Sequence, residues 1–76
     1  MTTAKLARAL VEQHSFVWDV AYCEAYYYLH GGNLTTTPWP IAVSHMMRVK
    51  NVPIITKEEA EQIHQTYLNR QLTSSV

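Results

Sequence analysis

Residues 16–30, FVWDVAYCEAYYYLH from Phe16 to His30, decide how this chain folds. The stretch holds four of the five tyrosines, one of the two tryptophans and the only cysteine, and neither Gly nor Pro interrupts it before Gly31-Gly32. At 100° per residue, Asp19, Tyr26 and His30 share a slot of about 40° on a helix. The remaining circumference is almost wholly apolar or aromatic: Phe16, Val17, Trp18, Val20, Ala21, Tyr22, Cys23, Ala25, Tyr27, Tyr28 and Leu29. A helix of this kind has to be covered on several sides. Tyr26, Tyr27 and Tyr28 fan across about 200°, so a single neighbour cannot cover all three. Either two elements of the chain flank this helix or a second protein does. Glu24 lies inside the apolar arc, where an unpaired carboxylate costs several kcal/mol (roughly) to bury, so a basic or histidine partner is expected if it is enclosed.

Upstream, Thr2 or Thr3 caps a helix starting at Ala4. Leu6, Ala7, Leu10, Val11 and His14 form its inner face, opposite Lys5, Arg8, Glu12 and Gln13. The polar stripe stays in phase through Arg8, Glu12, Ser15, Asp19, Tyr26 and His30, with Cys23 filling the gap. The phase predicts one helix over about residues 4–30, roughly 40 Å long. A break at Ser15 is the alternative.

Downstream, Gly31-Gly32-Asn33 stops the helix, and Leu34 to Trp39 reads as a loop with a Pro-Trp-Pro corner. A second, shorter helix is expected over about 40–50, with Ala42, Val43, Met46, Met47 and Val49 inward. Asn51-Val52-Pro53 ends it. Ile54 and Ile55 form a short extended tether whose side chains want cover. Thr56-Lys57-Glu58-Glu59 has the spacing of a capping box, opening a helix over about 57–72 that buries Ala60, Ile63, His64, Tyr67 and Leu68. The expected fold is all-α, a single helical domain over 1–76, with two shorter helices packed on a long N-terminal one.

Seventy-six residues suit one core of marginal stability, for which self-association is a common remedy. Six basic and six acidic residues cancel, which removes the charge footprint of a general nucleic-acid binder or a polybasic membrane anchor. No uncharged run resembles a signal segment and no stretch approaches ~18 apolar residues, so a soluble, cytoplasmic protein without membrane association is expected. Cys23 stands alone in an apolar setting and reads as a buried, inert thiol.

No catalytic, cofactor or metal site is expected. Glu61 and His64 form a Glu-x-x-His unit, but a carboxylate-bridged metal pair needs two such units, and only Glu24 offers an additional acid. His14, His30 and His45 lack ligand spacing. Cys23 with a histidine is composition without geometry, Gly31-Gly32 opens no helix to cradle a phosphate, and no small-molecule substrate is indicated.

The aromatic crowding carries the functional expectation, because Tyr and Trp supply large contact areas with few rotors. The chain is expected to be a small non-enzymatic interaction module, a regulator or inhibitor. It would dock a protein partner or pair as a homodimer through Trp18, Tyr22, Tyr26, Tyr27 and Tyr28. The alternative is a helix-turn-helix-like DNA-binding regulator using residues 40–72. Glu58, Glu59 and Glu61 at the start of its last helix would meet phosphates and speak against it.

Overall fold

The computed structural model describes residues 1–31 and 39–74, with side chains described for 1–31 and 41–70. The expected stop at Gly32-Asn33 and the loop through Pro38 lie outside the described residues. The described part is all-helical: α1 Thr3–His14, α2 Trp18–His30, α3 Trp39–Arg48 and α4 Lys57–Ser74.

The single rod expected over 4–30 is two helices. Ser15 takes the left-handed conformation, with φ 59° and ψ 27°, and the Phe16 N–H turns back to donate to the Leu10 carbonyl at 3.1 Å. A polar stripe in phase describes which side faces water, and both a straight and a bent chain satisfy it. Packing decides between them. A straight rod would leave the apolar circumference of residues 16–30 with only two short helices to cover it. The bend lays α2 along α1, and that contact is the most extensive in the molecule. Small side chains make up much of the resulting core: Ala7 and Ala9 of α1 and Ala21 and Ala25 of α2 are all fully buried, and small side chains let helix axes approach. Leu6 and Leu10 fill the space beside them. Burial of the bent arrangement outweighs the left-handed serine, whose conformation costs roughly 1–2 kcal/mol.

Each helix end has a local cause. Thr2 Oγ1 accepts from the Lys5 N–H at 3.2 Å and starts α1. Val17 supplies no side-chain cap to α2, but Asp19 sits in its first turn and accepts from Val20 N–H at 2.9 Å. Gly31, at φ 67°, ends α2 in the left-handed region and donates its N–H to Tyr27 O at 3.0 Å. Arg8 was expected on the solvent face. It is partly buried instead, with Nη1 donating at 3.3 Å to the carbonyls of both Met46 and Met47 at the end of α3. The Val49 N–H also donates to Met46 O at 3.2 Å, and the guanidinium adds a charged donor at the negative end of α3. Nε of Arg8 also pairs with Glu12 at 2.8 Å.

The chain between α3 and α4 is strapped to the end of α1. Gln13 donates through Nε2 to Pro53 O and accepts the Ile55 N–H at 2.8 Å, while His14 Nε2 lies 3.0 Å from Ile55 O. Ile55 is thereby buried. Ile54, expected to be covered with it, points out and is 92% exposed, as alternation along an extended segment requires. Thr56 then caps α4 as its spacing predicts. Glu59 N–H donates to Thr56 Oγ1 at 3.1 Å and the Thr56 hydroxyl donates to the Glu59 carboxylate at 3.2 Å.

α3 packs mainly on α1, and α4 on α2; α3 and α4 barely touch. The molecule measures 39 × 29 × 19 Å, about two helix diameters in its thinnest direction. Every helix therefore keeps a solvent side. The inner faces shrink accordingly: Met46 is buried and Met47 is 70% exposed, and Ala60 and Ile63 are buried whereas His64 is not.

Candidate functional site

α2 is the helix to which the sequence assigned contact. α1 lies on one flank of it and α4 on the other, so two elements of the same chain do much of the covering. The five aromatic candidates divide. Tyr27 stacks edge-on against Tyr67 of α4, with ring centroids 5.4 Å apart. Tyr22 is half-buried against the core, and burial, with Tyr26 nearby, raises its phenol above the ordinary value. Tyr26 leans on His30 of its own helix at 5.0 Å, on the polar side that the wheel assigned to it. Trp18 and Tyr28 are exposed at opposite ends of α2. Val17 and Val20 are exposed beside Trp18. The aromatic set is therefore not one continuous face: Tyr22 and Tyr27 are drawn inward, and open apolar surface collects at the α2 start.

The second feature is a polar pair where α2 meets α4. Glu24 is completely buried, and Oε1 lies 2.7 Å from Nδ1 of His64. Oε2 is buried without a hydrogen-bond partner. Burial pushes the Glu24 carboxyl above its ordinary value, against the hydrogen bond and charge of His64, which pull it down. The imidazole belongs to both environments. About half of its side chain is exposed, and the Phe16 ring meets it edge-on at 6.2 Å. His64 and Phe16 also line an open cleft of about 480 Å³ with His14, Lys57, Ala60, Glu61 and Gln65. Glu24 is thus paired, as a carboxylate in the apolar arc has to be. His64 was expected on the buried face of the last helix. It is exposed for the residue as a whole, yet it makes the bond to Glu24.

No spacing in the sequence foretells the cleft. Its walls come from the end of α1 and the start of α4, over 40 residues apart, and they meet only because the Gln13 and His14 contacts bring Ile55 to α1. The same holds for Arg8 and Arg70, which cap helices distant in sequence.

Cys23 is half-buried, and its thiol is raised by burial and by the neighbouring carboxylates Asp19 and Glu24, which favours the unreactive protonated form. Among the described residues, no three His, Cys, Asp or Glu side chains are grouped to hold a metal ion, and no helix is long and apolar enough to cross a membrane. No protein-family model, curated protein or solved structure matches the chain.

Proposed function

We propose that this protein is a small non-enzymatic interaction module that docks another protein or a second copy of itself through the solvent side of α2. One observation carries the reading. After α1 and α4 have flanked α2, Val17, Trp18 and Val20 still expose 61%, 37% and 39% of their surface at its start, and Tyr28 exposes 46% near its end. An indole beside two β-branched side chains is a typical anchor for a protein interface. The bend at Ser15 narrows the contact set. Trp18, Tyr26 and Tyr28 remain available to a partner, whereas Tyr22 and Tyr27 support them from behind. A regulatory or inhibitory role for such a module is in keeping with its size.

Light scattering at micromolar concentration, with Trp18→Ala and Val20→Lys variants, tests self-association. A concentration-dependent dimer that both variants weaken is the expected result. A wild-type monomer that also captures no protein from native lysate in a Trp18-dependent manner overturns the reading.

The nucleic-acid alternative over residues 40–72 finds less support. A helix-turn-helix relies on two helices packed on one another, whereas α3 and α4 pack on the first two helices. Glu58, Glu59 and Glu61 are exposed at the start of α4. Binding to duplex DNA that weakens steeply with salt would revive it.

A further inference from the structure

We infer that the Glu24–His64 contact is a proton-operated latch that holds α4 on α2 while the pair carries at least one proton and releases it when the pair carries none. The geometry has the three parts such a device needs. The carboxylate is completely enclosed, so its charge has no water to fall back on. Its partner is half in solvent, so protons reach it without unfolding. The two sit on different helices, 40 residues apart in sequence, so the contact reports on their docking.

With one proton, the pair is an ion pair or a neutral acid beside a neutral base, and either suits a buried position. With no proton, a full negative charge stays enclosed against a single neutral N–H, and Oε2 has nothing. Detaching α4 then returns Glu24 to water and relieves that cost. Other ionisable groups near the pair do not replace the missing proton. His14 of α1 holds Ile55 O. Asp19 and Cys23 of α2 contribute no positive charge. Lys57 and Glu61 of α4 line the cleft with opposite signs, and His45 and Arg48 of α3 are exposed. The ring contact of Tyr27 with Tyr67, the exposed hydrogen bond from Arg70 to Gly31 O and the burial of Ala60 and Ile63 in the shared core also tie α4 down, and none of them carries a proton-dependent charge on α2. Release uncovers Tyr27 and the buried faces of Ala60 and Ile63.

Hydrogen exchange of the α4 amides in the intact chain, corrected for intrinsic rates from about pH 5 to about pH 9, reads the latch directly. Opening of α4 is expected to increase with pH through the neutral range, by up to about tenfold per pH unit for one linked proton. The Leu6–Leu10 segment of α1 should change less. Glu24→Gln, which keeps an acceptor and loses the charge, should flatten the curve. His64→Asn, which keeps a donor and cannot take a proton, leaves Glu24 as the one titrating member of the pair and should displace the curve along the pH axis. It alters an exposed position, so it carries the test if the Gln variant fails to fold. A flat wild-type curve, a change shared equally by α1, a pH-dependent slope that survives in folded Glu24→Gln, or a curve left unmoved in His64→Asn overturns the proposal.

Discussion

The guanidinium of Arg70 occupies the place where a side chain at residue 31 would go. A Cβ built on Gly31 would stand 2.6 Å from Arg70 Nη1, and Nη1 donates to the Gly31 carbonyl at 3.2 Å. Glycine therefore serves twice: it takes the left-handed turn that ends α2, and it leaves room for a cation from α4 on the final carbonyl. Gly31→Ala is expected to cost roughly 2 kcal/mol, about half from the backbone and the remainder from displacing Arg70. Urea unfolding of Gly31→Ala, Arg70→Ala and the double variant measures the coupling. Full additivity would show that the two residues act independently.

Ser15 is the only residue other than glycine among those described with a positive φ. Ser15→Gly should stabilise by up to about 1 kcal/mol, and Ser15→Val should destabilise by more than that, since a β-branched residue resists this region. Thermal melts of the two variants should move in opposite directions. Movement in the same direction would remove the bend as the cause.

The alanine seam predicts an unusual intolerance of larger side chains. Ala21→Leu or Ala25→Leu should cost about 1–3 kcal/mol through overpacking between α1 and α2. An exposed counterpart, Val20→Leu, should fall within about 0.5 kcal/mol of wild type. Chemical denaturation of the three variants makes the comparison.

The buried carboxylate sets the response of overall stability to pH. Folding raises the Glu24 carboxyl above its ordinary 4.5, so the folded state holds this proton more tightly than the unfolded one. The corresponding stability is fully present below that value and is lost as pH rises through the raised one. His64→Ala leaves the carboxylate enclosed without its donor, so its cost should grow with pH as Glu24 ionises, peak at about 2–3 kcal/mol, and shrink once the wild-type pair has lost its last proton. Denaturation midpoints of wild type and variant that run parallel from mild acid to mild alkali would contradict this.

Cys23 should react with disulfide reagents several-fold more slowly than a free thiol at neutral pH, because burial and two carboxylates keep it protonated. Full-rate labelling of the folded chain would show the thiol to be open and ionised.

Local chemistry was legible where a few neighbouring residues decide the outcome. The Thr56–Glu59 cap, the stop at Gly31 and the inward faces of Leu6, Ala7, Leu10, Ala60 and Ile63 follow from spacing alone. The demand that an enclosed Glu24 find a basic partner follows as well, although the sequence did not single out His64. The bend at Ser15 did not follow, because serine's own preference is weak and the gain lies in burying Ala21 and Ala25 of α2 in one core with Leu6, Ala7 and Leu10 of α1. Arg8 looked solvent-facing, since nothing on its own helix reveals the carbonyls of Met46 and Met47 at the end of α3. The wheel also spread the tyrosines around α2 as if α4 were absent, so Tyr27 looked available to strangers when Tyr67 meets it at home.

Gln13 and His14, which hold the segment leading into α4, are the two residues immediately before the left-handed serine. Elbow and strap are therefore one mechanical joint. A change that straightened the chain at that joint would carry its clasp away from Pro53 and Ile55, and the fourth helix would lose its mooring although none of its own residues had been altered.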